Sequence, residues 1–218
     1  MDFRLDIIVE YVPFFLKGTL LTIGLSIAGI LIGTVLGLII GLGKMTKNKP
    51  ISLFFNCYII FFRGTPLFVQ LLLVHFGVVP MLIGHTNGIV ASIIALSLIA
   101  GAYIAEIFRA GIQSIDKGQM EAARSLGMNH VQAMKDVILP QAFKRMIPPL
   151  GNEFIVLVKE SSLAAIVATP ELMYYGRALA NTYYRVWEPY LTAALIYLVL
   201  TTTLSFLLNR LERRLATE

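Results

Sequence analysis

The stretch 150–168, LGNEFIVLVKESSLAAIVA, is long and apolar enough for a membrane crossing, yet it carries Asn152, Glu153, Lys159 and Glu160. A charge at the centre of a bilayer costs about 2.5–3.5 kcal/mol on the mildest scale, so such residues mark a pathway or a site. On a helix, Glu153 and Glu160 lie within about 20° of the same face, ~10.5 Å apart along the axis. Asn152 and Ser161 flank that face. Lys159 points about 120° away from Glu153 and need not neutralise it. Two carboxylates so placed can bind an organic cation such as a basic amino acid. The structural alternatives are ion pairs with Arg63 or Lys159, or exposure at the membrane interface.

A second polar group is Arg63-Gly64-Thr65-Pro66, inside an otherwise apolar run. Pro66 removes a helix donor and Gly64 loosens the preceding turn, so the helix is predicted to break here. Broken helices at membrane depth line cavities or are buried in protein. Arg63 can grip a carboxylate with two hydrogen bonds, and Thr65 joins it as a candidate substrate contact. Arg63 can equally pair with Glu153, Glu160 or Glu106, or snorkel to the interface. Glu106 and Arg109, at helical pairing distance, are read as a structural clasp. His75 and His85 have no second ligand at metal spacing, so no metal site is expected. The lone Cys57 excludes an internal disulfide.

These groups sit in a very apolar frame. The chain has 218 residues, 57% hydrophobic and 14% charged, against roughly 25% charged in soluble proteins. Residues 18–43, 64–105 and 189–209 contain no formal charge, and about 20 apolar residues suffice for a spanning helix. The first run is too long for the core of a cleaved signal peptide and is read as a retained span. The whole chain, 1–218, is expected to be one all-α membrane domain. Its five spans are placed near 17–43, 52–79, 88–110, 149–168 and 189–208, with a polar loop at 111–148. Lys44, Lys47, Lys49, Arg109, Lys117, Arg124, Lys135, Lys144, Arg145, Arg210, Arg213 and Arg214 fall on one side, against Arg4, Lys17, Arg177 and Arg185 on the other. The richer side is cytoplasmic. The N-terminus is then outside and the C-terminus inside. The net charge of +5 reflects this bias rather than nucleic-acid binding.

Gly29, Gly33, Gly37 and Gly41 form a stripe on one helix face, which lets a neighbouring helix approach closely. Packing within one subunit and a seam between two subunits are both compatible with it. In the loop, Asp116 with Gln119, and Asn129 with Gln132, have capping-box spacing. They predict a helix from Lys117 to Leu126, a left-handed stop at Gly127, and a second helix ending near Pro140. Such a unit either lies on the span ends or docks a soluble partner.

EAARSLGMNHVQAMKDVILP resembles the EAA signature of ABC importer permeases, with Glu121, Ala122, Ala123, Gly127, Val137, Leu139 and Pro140 in register. Val137 stands where isoleucine is usual. FFRGTPLFVQLLLVHFG and AYIAEIFRAGIQSIDKGQMEAARSLG extend the resemblance to the polar amino-acid uptake branch, which includes histidine, glutamine and arginine permeases. The resemblance covers nearly the whole chain and implies a type I importer permease fold in a bacterial cytoplasmic membrane. It implies that Glu121, Ala122, Ala123, Gly127 and Met128 belong to a coupling helix seated on an ATPase. It also implies two ATP-binding cassette subunits, a second permease copy in a homodimer, and an extracytoplasmic amino-acid-binding protein. The chain has no phosphate-binding loop of the G-x-x-x-x-G-K-[ST] type. It is therefore expected to be no enzyme and to hold no cofactor, ATP and magnesium being bound by the partner ATPase. The combined expectation is an ATP-driven importer of basic amino acids, with Glu153, Glu160, Asn152, Ser161, Arg63 and Thr65 on the path. Import of glutamine or another polar amino acid is the alternative. A proton- or ion-coupled carrier would not need the EAA loop, and a passive anchor would not need buried charges.

Overall fold

The computed structural model describes residues 3–216, and the described residues contain helices and no strands. The first helix, α1 (Leu5–Lys44), has 40 residues and is therefore about 60 Å long. It exceeds a ~30 Å hydrocarbon core and must tilt or project beyond it. It begins well before residue 17, where the span is expected to start, because Pro13 is accommodated inside it.

The glycine stripe packs α1 against α5 (Gly88–Gln113) of the same chain. A Cβ at Gly33 would lie 2.6 Å from the Ala100 Cβ, one at Gly37 2.7 Å from the Ile104 Cβ, and one at Gly29 3.1 Å from the Leu96 Cβ. Those partners recur every four residues on α5, so two matching ridges lock together. Leu25, Leu96, Ile99, Ala100, Ile104 and Leu157 form the core around this seam. Of the two readings of the stripe, packing within one subunit is the one observed.

Helix α2 (Lys49–Gly64) breaks before α3 (Leu67–Leu73), and the chain bends there by 108°. Thr65 is extended (φ −116°, ψ 146°), as a residue before proline must be. The Gln70 side-chain amide nitrogen Nε2 donates to the Phe62 carbonyl at 2.9 Å and the Thr65 carbonyl at 3.1 Å, satisfying acceptors freed at the end of α2. A π-turn, Val74–Val78, leads into α4 (Val79–Ile83) just before Pro80.

The polar loop holds α6 (Lys117–Ser125) and α7 (His130–Ala133). The second capping box is present in full, with Asn129 and Gln132 bonded reciprocally at 2.9 Å. The first is only half formed. Asp116 accepts from the Gly118 amide at 2.7 Å, while the Gln119 side-chain oxygen Oε1 accepts from Gln141 Nε2 at 3.3 Å. The expected helix end near Pro140 does not occur. A π-turn, Met134–Ile138, leads directly into α8 (Leu139–Glu160), which also continues through Pro148 and Pro149. The wider turn leaves room for the proline ring and asks no amide of it; the same device precedes Pro80. After α8 come a 3₁₀ turn (Ser161–Val167), α9 (Leu172–Tyr183) and α10 (Trp187–Ala216).

By length and composition, α1, α5 and α10 can each cross a membrane, and the bent pair Lys49–Gly64 with Leu67–Ile83 makes a fourth crossing. The segment 149–168 is not one continuous α-helix: α8 ends at Glu160 and the 3₁₀ turn Ser161–Val167 follows, while α8 itself also carries Lys144 and Arg145.

Candidate substrate cavity and coupling loop

Helices α2, α5 and α8 line an open cavity of about 560 Å³ whose lining includes Arg63, Tyr103, Glu106, Arg145, Asn152 and Glu153. Three of the sequence-predicted residues, Arg63, Asn152 and Glu153, thus meet. The α2–α3 bend ends α2 at this height, so Arg63 stands at the last turn of a helix and reaches inward. Its guanidinium carbon lies 5.1 Å from the Tyr103 ring centroid, and Nη1 is 4.0 Å from Glu106 Oε2. That Glu106 oxygen already accepts from Arg109 at 2.8 Å, and Oε1 accepts from Lys44 at 2.6 Å. The clasp read from sequence is therefore wider than one pair. It ties α1 to α5 and leaves Arg63 loosely held, with 42% of its side chain exposed.

Glu153 is 8% exposed and makes no hydrogen bond or ion pair within 4 Å among the described residues. Glu160 and Arg63 are the charged groups that act on it. A buried carboxylate without a partner is costly, and a bound cation would relieve that cost.

The other three candidates lie elsewhere. Glu160 and Ser161 line a separate void of about 10 Å³ with Leu67, Leu71 and Ser92, room for a water at most. The Ser161 hydroxyl donates to the Val158 carbonyl at 2.9 Å. The Thr65 hydroxyl donates to the Phe61 carbonyl at 2.8 Å and accepts from Gln70 at 2.9 Å, so it serves the helix break.

Three features had no clear signal in the sequence. Tyr103 is an aromatic in an apolar run. Lys44, far from Glu106 along the chain, joins its cluster. Glu171, fully buried, caps α9 through the Tyr174 amide at 2.7 Å and the Met173 amide at 2.9 Å. It also accepts from Tyr197 at 2.7 Å and Thr22 at 3.3 Å, joining α1, α9 and α10. Its place just after Thr169-Pro170 was the only hint, and Glu is not among the favoured caps.

In the polar loop, Gly127 is left-handed (φ +87°). The Gly127 amide donates to the Arg124 carbonyl at 3.0 Å and the Met128 amide to the Ala123 carbonyl at 3.2 Å, the paired bonds of a Schellman stop. Glu121, Ala122 and Gly127 are exposed and Met128 is half-buried. Ala123 is buried against its own chain and presents nothing outward. Leu126 and Val131, 82% and 73% exposed, flank the turn and add an apolar face that the motif alone did not single out. Nothing lies within 4 Å of a Cβ at Gly127, so a side chain there is opposed by backbone conformation alone. Gly127→Val should lower transport-coupled ATP hydrolysis severalfold, whereas Gly127→Asn, which tolerates this conformation, should retain most of it. Hydrolysis by the assembled transporter, with and without substrate-loaded binding protein, measures both. Equal activity of the Val variant and the wild type would overturn the expectation that this turn couples to an ATPase.

The sequence pattern of the family described as "Binding-protein-dependent transport system inner membrane component" matches residues 33–217. The arginine transport system permease protein ArtQ of Bacillus subtilis (strain 168) is 38% identical over 216 residues, covering 99% of this chain and 98% of its own length. The probable glutamine ABC transporter permease protein GlnM of the same organism is 43% identical over 197 residues, covering 90% and 89%. A crystal structure of an amino acid ABC transporter with histidines superposes with a TM-score of 0.92 at 45% identity, covering 98% of this chain and all of that one. Inward-facing MetNI methionine ABC transporter structures share the fold, with a TM-score of 0.83 at 21% identity. Taken with the helical architecture and the EAA loop, these similarities make the chain a member of the binding-protein-dependent transport system inner membrane component family, as a permease subunit of an amino-acid ABC importer.

Proposed function

We propose that this permease carries basic amino acids, and that the cavity of Arg63, Asn152 and Glu153 is the substrate site. The observation that carries the reading is Glu153, a buried carboxylate without a hydrogen bond, facing the same space as a loosely held arginine. A cationic amino acid satisfies both: its α-carboxylate meets Arg63 and its positive side chain meets Glu153. Asn152 supplies a neutral hydrogen-bond partner. Glu160, about two turns further along α8, and Ser161, which opens the following 3₁₀ turn, form a second step of the path that opens when the helices move. The relatives' names divide between arginine and glutamine, and glutamine is the rival cargo. Glutamine offers Glu153 an amide in place of a charge.

The transporter is completed by two ATPase subunits holding ATP and magnesium, a second copy of this chain and an extracytoplasmic amino-acid-binding protein. No nucleic acid takes part. The five segments named from sequence cross the bacterial cytoplasmic membrane, with the N-terminus outside and the C-terminus and 111–148 inside. The charge count along the chain supports this sidedness. Glu121, Ala122, Gly127 and Met128, with the neighbouring Leu126 and Val131, rest on the ATPase. ATP binding draws the two ATPases together and the docked loops follow. The spans tilt outward, and hydrolysis resets the inward-facing state.

The test is reconstituted, ATP-dependent uptake of labelled arginine, lysine, histidine, glutamine and glutamate. Arginine, lysine or histidine should compete at least tenfold better than glutamine. A preference for glutamate would remove the substrate assignment and leave the family assignment standing. In cells, a Cys57→Ala background with Thr182→Cys should react with an impermeant thiol reagent, and one with Ser125→Cys should not.

A further inference from the structure

On the other side of α5 from the substrate cavity, a groove of about 900 Å³ runs between the ends of α1 and α5 and the start of α8. Its walls are apolar and include Leu38, Leu42, Phe108 and Phe143, and its polar lining includes Lys135 and Lys144. No carboxylate lines it, and the two cavities share no lining residue. Neither lysine has an ion-pair partner within 4 Å among the described residues. We propose that this groove holds an anionic phospholipid of the cytoplasmic leaflet, with acyl chain along Leu38, Leu42, Phe108 and Phe143 and phosphate at Lys135 and Lys144.

Position and charge choose this occupant. The α1 face beside the groove exposes Leu31, Val35, Leu38 and Leu42, from 45% to 62%, in a helix apolar enough to span; that face lies against lipid tails. The groove sits at the last turns of α1, next to the Lys-rich segment that places this end at the cytoplasmic surface. Chains lying along its walls therefore put a headgroup at the level of the two lysines. Basic pockets between membrane helices on the cytoplasmic side favour anionic headgroups. The groove is built partly by the π-turn Met134–Ile138, which connects the coupling loop to α8. A lipid there would brace the element that carries the ATPase stroke into the membrane.

The assembled transporter, permease with its ATPase, is delipidated in detergent and titrated with palmitoyl-oleoyl phosphatidylglycerol or phosphatidylcholine. Native mass spectrometry reads the lipid retained by intact complexes, so misassembled variants do not enter the measurement. Phosphatidylglycerol should be retained in preference to phosphatidylcholine. The double variant Lys135→Gln/Lys144→Gln should lose affinity for it by roughly thirtyfold, about a factor of five per lysine. Lys47→Gln/Lys49→Gln, an equal charge loss outside the groove, should stay within about twofold of wild type, on the same scale. Leu38→Trp, which fills the groove, should reduce retention of both lipids. The proposal is overturned if the Lys135/Lys144 double variant binds like wild type, or if the two double variants lose affinity equally. Displacement of the lipid by inorganic phosphate would also overturn it, since that marks a simple anion site. So would crosslinking of Leu42→Cys to Phe143→Cys between two copies in the Cys57→Ala background, since that marks an interface between permeases.

Discussion

Glu153→Gln should cut uptake of arginine tenfold or more while the transporter assembles normally. Glutamine keeps the shape of glutamate while removing the charge and replacing one acceptor oxygen by an amide donor. The carboxylate is buried on α8, and Arg63 shares its cavity. Truncating one partner of a buried, hydrogen-bonded charge pair costs about 2–5 kcal/mol, which exceeds the 1.4 kcal/mol of a tenfold change. The free permease, by contrast, should not suffer, because Glu153 makes no bond that folding depends on. Uptake of glutamine is the internal control, since a neutral side chain has little to lose at that position. Glu160→Gln should have a smaller effect on initial binding, because Glu160 opens onto a void too small for an amino acid. Arginine uptake by wild type, both single variants and the double variant decides the matter. Full arginine uptake by Glu153→Gln would refute the site.

Gly33→Val should abolish most of the folded permease. A Cβ at this position meets the Ala100 Cβ at 2.6 Å and the Gly101 amide at 3.3 Å, and valine adds two methyl groups beyond that. Overpacking a well-filled core costs about 1–3 kcal/mol, and here the obstruction forces apart two helices that share their contact over several turns. Gly24→Ala, on the same helix with nothing within 4 Å of its Cβ, should be neutral. Ala100→Gly should restore part of the loss when combined with Gly33→Ala, since it removes the atom in the way. Yield and thermal stability of the purified permease in detergent measure all of these. A Gly33→Val protein as stable as Gly24→Ala would show that the α1–α5 seam contributes little.

What the chain alone determined is what lies within a turn or two of each residue. Charge-free runs set the membrane class. The EAA spacing, the Asn129–Gln132 cap and the Gly127 stop are local hydrogen-bond demands, legible because a helix end must satisfy its own amides and carbonyls. Arg63-Gly64-Thr65-Pro66 announced the break for the same reason, and the helical angle set Glu153 and Glu160 on one face. Tertiary structure decided what each face meets. The glycine stripe was compatible with two partners until α5 proved to carry the matching ridge. Pro140 was expected to stop a helix, yet a π-turn absorbs its ring; a local rule forbids the straight helix but not the widened one. Lys44 reaches Glu106, and Thr22 and Tyr197 reach Glu171, across separations that no periodicity encodes. Glu153 and Glu160 share a face but not a cavity. One faces the space left by the α2–α3 bend, and the other, half-buried, lines a small void against α3 and α5.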